Sequence, residues 1–279
     1  MTTTLATVEP TAAAVHRPSL QVTQSRVLRS EWTKFRSLRS TIYTLLSAVV
    51  LSIGLGALFS AVTVSQFATF NPVERAQFNP ISTSLNGTLF SQLAIGVLGV
   101  LLISGEYSTG MIRSSLTAVP RRLPVLWAKL GVFAAVVFAV STITSFVSFF
   151  LGQALLGSQS LNVSISAPGA LRSVMGAALY VTVAGMIGLA LGALLRNTAA
   201  GISTFVGAFF VIPPLTQLLP SSWSSHFVQY LPSNAGGVLY GGTQNLSNAL
   251  APWTGFGVLC GYAVILIGLA AWRLRRVDA

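Results

Sequence analysis

The sequence predicts an all-α, polytopic membrane protein. It has six transmembrane helices, an N-terminal amphipathic helix at the interface and a short helix in the loop between spans two and three. Three observations predict this. First, 53% of the 279 residues are apolar and only 8% are charged, against roughly 25% charged in soluble domains, too few to cover a soluble surface of this size. Second, the charges are clustered, which leaves residues 40–73, 76–105, 130–171, 173–195 and 197–272 without any. A membrane span needs about 20 apolar residues, so the first four intervals hold one span each and the last holds two. Third, with six spans and both termini on one side, 14 of the 16 Lys and Arg residues fall on that side. The positive-inside rule makes it cytoplasmic. These features exclude a soluble enzyme and a disordered chain. They also exclude a nucleic-acid partner, despite the net charge of +11.

The spans are expected at 41–64, 85–105, 130–151, 174–195, 199–219 and 253–272. Backbone groups in lipid must pair within their own segment, and the runs are too long and uniformly apolar for barrel strands, so these are helices. Ala184, Gly188 and Gly192 share one face of span four, and Gly257 and Gly261 share one face of span six. That spacing lets helices approach closely. Pro213 and Pro214 lie late in span five, where each removes a backbone donor, so that helix should kink or end early.

Residues 1–19 are rich in Thr and Ala, contain two prolines and lack a basic start followed by an apolar core. They read as a disordered cytoplasmic tail rather than a signal peptide, and residues 20–279 form one transmembrane domain. Cys260, the single cysteine, lies in an apolar run and forms neither an intramolecular disulfide nor a metal cluster. Segment 220–252 carries Trp223, Phe227 and Tyr230 at helical spacing, which suits a short helix on or dipping into the outer leaflet.

Two segments carry more information. In residues 26–39, Val27, Leu28, Trp32, Phe35 and Leu38 share one helical face, and Arg26, Arg29, Lys34 and Arg36 share the other. This is an interfacial helix with its basic residues toward anionic headgroups. Glu31 lies among the apolar residues, where a carboxylate needs a partner. Lys34 and the arginines of the following loop are the candidates. The second segment, 105–122, reads Gly-Glu-Tyr-Ser-Thr-Gly-Met-Ile-Arg-Ser-Ser-Leu-Thr-Ala-Val-Pro-Arg-Arg. Residues 109–118 can form a short helix that Pro120 stops. Glu106 and Arg113 are seven apart, on one face if the helix is continuous.

Ser-Glu-Trp-Thr-Lys-Phe-Arg-Ser-Leu-Arg-Ser at 30–40, the segment 105–122 and Leu-Pro-Ser-Asn-Ala-Gly at 231–236 resemble the permease subunits of bacterial ABC transporters of the type-2 exporter class. With the six-span spacing, the resemblance covers nearly all of the chain past residue 20. It implies a permease that pairs with a second copy or a paralogue and couples to separate ABC ATP-binding subunits, which bind the ATP and Mg²⁺. The segment before span one is similar to the connecting helix, and the loop after span two to the coupling helix. The resemblance therefore assigns Glu31, Trp32, Lys34, Arg36, Glu106, Tyr107, Thr109, Gly110, Met111 and Arg113 to the partner interface. It also implies that spans two and five line the pathway, which suggests Ser91, Gln92, Ile95, Phe205, Phe209 and Phe210. The bacterial cell membrane, with both termini cytoplasmic, is the expected location.

The missing motifs fit that division of labour. The only lysines, Lys34 and Lys129, lack the Gly-x-x-x-x-Gly-Lys-[Ser/Thr] context, and no metalloprotease or triad pattern occurs. The chain is expected to have no cofactor, no metal and no catalytic residues of its own. No acidic residue lies mid-membrane, so the proton relays and ion sites of secondary transporters are absent. The energy then comes from another chain. The cargo expected of an apolar, aromatic pathway is a lipid, an amphipathic peptide or a hydrophobic drug. The alternatives are a membrane anchor or assembly factor for a soluble partner, and a passive channel or secondary transporter.

Overall fold

The computed structural model describes residues 23–108, 110, 122–218, 220, 227–241 and 248–276. The expected tail 1–19 lies outside them, as do residues 111–121, Trp223 and His226. Among the described residues there are helices and no strands, and six helical segments are long and apolar enough to cross a membrane.

Helix α1 (Gln24–Ser37) ends where Leu38 turns extended, and α2 (Arg39–Gln66) begins at once as the first span. The stretch after it is not a bare loop. Asn71 and Glu74 cap one another's backbone N–H groups in a reciprocal box that starts α3 (Pro72–Gln77). Asn79 then caps α4 (Pro80–Leu85), with Pro80 in the first turn. Helix α5 (Thr88–Ser108) continues α4 as span two, which therefore begins at Pro80, five residues before the expected position. The side-chain cap at Asn79 supplies the N-terminal donors' partner and lets the helix start among polar residues.

Span three is longer than expected. Helix α6 (Arg122–Leu156) runs through Lys129, which hydropathy alone places in a loop. The helix holds because Lys129 is neutralised inside the bundle, as described below. Helix α7 (Ala170–Leu195) is span four. Span five starts as α8 (Thr198–Val206), widens into a π-turn at Gly207–Val211 and ends in α9 (Ile212–Leu215). The expected break is thus present, but the change begins before Pro213 and Pro214. A proline has no N–H to offer the carbonyl four residues back and its ring crowds that carbonyl, so the irregular turn lies on the N-terminal side of the pair. Helix α10 (Pro232–Gly237) is part of the Leu-Pro-Ser-Asn-Ala-Gly segment. Its Ser233, Ala235, Gly236 and Gly237 are buried and it packs against α11 (Pro252–Arg276), the sixth span.

The core sits on α5 and α7, the most tightly paired helices, with α2, α6, α8 and α11 around them. Gly96 and Gly99 of α5 meet Gly188 and Gly185 of α7. A Cβ on Gly188 would overlap the Gly96 carbonyl, and one on Gly99 would overlap the Gly185 carbonyl. The small-residue face of span four is therefore consumed by packing within the chain. Gly257 and Gly261 differ, since a Cβ on either meets nothing within 4 Å. On the far side, Ser148 donates to the carbonyls of Ser52 (3.1 Å) and Ser84 (3.0 Å), which ties spans one and three to the break between α4 and α5.

Replacing Gly188 by leucine should destabilise the bundle by about 1–3 kcal/mol through overpacking, read as a lower thermal midpoint of the detergent-solubilised protein. Gly261→Ala should leave that midpoint unchanged. Equal shifts in both variants would contradict the close α5–α7 contact.

Candidate functional site

Helix α1 presents three faces rather than two. Val27, Glu31 and Phe35, spaced four apart, are buried against the bundle, chiefly on α6. Leu28, Trp32 and Leu38, the rest of the expected apolar face, are 38–49% exposed, and Arg26, Arg29 and Arg36 are exposed as well. The inward stripe therefore carries a carboxylate at its centre, and the outward apolar residues are left for lipid or a partner. Trp32 and Arg36 lie on this outward surface.

Glu31 finds its charge partners at the ends of two spans. Lys129 Nζ, in α6, lies 2.7 Å from Glu31 Oε2 and 2.9 Å from Glu106 Oε1, at the last turn of α5. Lys34 Nζ, one turn along α1, lies 2.9 Å from Glu31 Oε1 and 3.3 Å from Glu106 Oε1. The four groups close a ring of alternating sign and zero net charge. Lys129 and Glu31 are almost wholly buried at 3% and 4% side-chain exposure, and Lys34 is 31% exposed. Both lysines of the chain are in this ring. A lysine suits the place, because one compact ammonium has three donors to share between two carboxylates.

The ring explains two placements that are unfavourable in isolation. Glu106 stands at the C-terminal end of α5, where the helix dipole repels an anion, and the two ammonium groups compensate. Burial pushes the Glu31 carboxyl up, but the charge and hydrogen bond of Lys129, followed by those of Lys34, outweigh it and hold the group below the ordinary 4.5. Burial likewise pushes Lys34 down, and the Glu31 hydrogen bond and Glu106 charge outweigh that, so it ends above the ordinary 10.5. One oxygen, Glu106 Oε2, is buried without a hydrogen-bond partner.

Beside the ring, the same end of the bundle is tied together by basic residues. Arg196 adopts a left-handed conformation (φ 55°) that caps α7, and its guanidinium lies 5.1 Å over the half-buried Tyr107 ring. Arg273 of α11 donates to the Leu194 carbonyl, and Thr198 joins Ser104 at 2.9 Å. Helix α5 stops at Ser108, and the exposed Gly110 has φ +70°, a conformation glycine adopts without strain. The condition for placing Glu106 and Arg113 on one continuous helix is therefore not met. Thr109, Met111 and Arg113, with the rest of the expected coupling helix, lie outside the described residues.

The residues suggested for the pathway pack inside this chain instead of facing an open surface. Ser91, Gln92, Ile95, Phe205 and Phe209 are buried and Phe210 is half-buried. Phe205 stacks on Phe209 at 4.5 Å and its ring covers Gly96. Gln92 accepts from the Tyr180 hydroxyl, and the Tyr180 ring lies 5.3 Å from Tyr240. Among the described residues, no group of three or more His, Cys, Asp or Glu is placed to hold a metal.

Sequence reasoning identified the need for a partner at Glu31 and one partner, Lys34, but missed Lys129. The signal was available. Lys129 is one of only two lysines and stands immediately before the expected start of span three, and the two acids on the same side, outside the tails, are Glu31 and Glu106.

Two outcomes follow from this geometry. Lys129→Met leaves two buried carboxylates short of their shared cation, and should cost about 3–5 kcal/mol. Lys34→Met, whose head reaches water, should cost less; thermal midpoints order the two. The Glu31 contribution is present above pH 4.5 and lost as pH falls through its lowered folded value. The Lys34 contribution is present below pH 10.5 and lost as pH rises through its raised one. The midpoint should therefore be flat between these limits and fall outside them, and Glu31→Gln should remove most of the acid-side fall.

No curated protein matches the chain at a significant level. A protein-family model described as "ABC-2 family transporter protein" matches residues 27–214. The match begins at the buried face of α1, contains the whole ion ring and ends within span five. Six membrane-length helices and a match over two thirds of the chain lead to one conclusion: this chain belongs to the ABC-2 family of transporter membrane proteins, the permease components of ABC transporters that associate with an ATP-binding subunit.

Proposed function

We propose that the chain is the permease half of an ATP-driven exporter, and that the ion ring is its coupling joint. The ring is the observation that carries this reading. It fastens α1 to the last turn of α5, which residues 109–121 follow in sequence, and to the first turns of span three. An ATP-binding subunit that pushes on α1 or on the loop then moves the ends of both spans together. Trp32 and Arg36 on the outward face of α1, with Tyr107, Thr109, Gly110, Met111 and Arg113, form the contact surface.

Two such chains, or one with a paralogue, enclose the pathway. The exposed apolar faces of spans one, five and six suit contact with lipid or a second subunit. The cargo is a lipid, an amphipathic peptide or a hydrophobic drug. Both termini and the ring lie on the cytoplasmic side of a bacterial cell membrane, which the crowding of basic residues on that side supports. This chain needs no ATP, Mg²⁺ or metal of its own; its partner supplies the nucleotide chemistry.

Glu106→Ala and Arg113→Ala should insert and still bind the ATP-binding subunit, while transport per ATP hydrolysed in proteoliposomes falls by about 5–150-fold, the usual range of a coupling free energy. Normal transport and normal partner-stimulated hydrolysis in both variants would overturn the assignment. Flux that needs neither ATP nor the partner would favour a passive channel.

A further inference from the structure

Next to the ion ring lies a cavity of about 380 Å³, enclosed by α1, the first turns of α2, the end of α5 and the start of α6. Its walls are apolar, from Phe35, Leu98, Leu102 and Val132, and its floor is the ring. The volume falls within the range of small-molecule sites. Leu38 and Leu101, which also line it, are both exposed, so the cavity opens on the lipid-facing side of the bundle, where acyl chains are the available filler.

The polar edge selects the headgroup. Ser37, Ser40 and Lys34 lie along it, and the adjacent Arg36 and Arg39 are exposed. The ring, Lys34 included, is neutral overall, so the net charge near the mouth is that of the exposed Arg36 and Arg39. Helix α2 starts at Arg39 with no side-chain cap and no acid in its first turn, which adds a favourable place for an anion. We propose that this cavity binds one anionic phospholipid of the adjacent leaflet, with an acyl chain between α1 and α5 and its phosphate at Ser37, Ser40 and Arg39.

This inference does not depend on export or on the ATP-binding subunit, and its test uses the full chain alone. The purified protein is equilibrated with equimolar dioleoyl phosphatidylglycerol and dioleoyl phosphatidylcholine, and retained lipid is counted by native mass spectrometry. The two lipids have identical chains, so the comparison isolates the headgroup. One phosphatidylglycerol per chain should be retained about tenfold over phosphatidylcholine: both lipids carry the phosphate, and only the choline of the second sets a fixed cation beside the basic rim. Leu102→Trp, which fills the cavity from α5, should abolish the bound lipid. Thr41→Trp does the same from α2 and serves if the first variant does not insert. Arg39→Gln, next in sequence to the lining residues Leu38 and Ser40, should lower the preference while the chain still inserts. Equal retention of the two lipids overturns the proposal. So does a preference that survives both tryptophan variants, because it then reflects surface charge alone.

Discussion

Three buried charges and a part-exposed fourth at one end of the bundle set the terms for everything around them. An isolated carboxylate or ammonium in that position costs several kcal/mol of lost hydration. Glu31, Glu106 and Lys129 can therefore be buried only together, with the part-exposed Lys34 completing the ring, and each of the elements that supply them must be in place at once. The ring adds little net stability compared with an apolar core. Its consequence is register: it fixes which turn of α1 lies on which turn of α5 and α6. A helix held only by apolar contact can slide or roll, whereas one held by an alternating ring has a single low-energy seat.

The remaining architecture divides into an inner and an outer set. Most residues along spans four and two are buried, whereas few along spans one and five are. Glycine-to-backbone contacts lock the inner pair. The outer helices keep apolar faces free, and the π-turn in span five leaves its upper half irregular. The bundle thus has an ionic joint at one end, a closely packed central pair and outer spans that are buried on one side only.

The spans and the two informative segments were legible in the sequence because length and hydropathy report lipid directly. Span boundaries were less so. Hydropathy stops at Lys129, yet the helix continues because Glu31, 98 residues away, neutralises it. Likewise Asn79 starts span two in a stretch that composition reads as loop. The apolar stripe of α1 was read as one face, but burial splits Val27 and Phe35 from Leu28 and Trp32, a distinction of one residue in register that only the packing against α6 decides. The residues suggested for a pathway came from the resemblance, and here they fill the space between α5, α7 and α8 within one chain.

The central claim is that ionic contact, rather than the apolar surface of α1, seats that helix on the bundle. A distance measurement between spin labels at Thr33→Cys and Trp127→Cys, in a Cys260→Ser background, tests it directly. Glu31→Ala and Trp32→Ala alter neighbouring residues, one in the ring and one facing outward. The account predicts a narrow distance distribution that Trp32→Ala preserves and Glu31→Ala broadens. A distribution that stays narrow in Glu31→Ala and broadens in Trp32→Ala would contradict it.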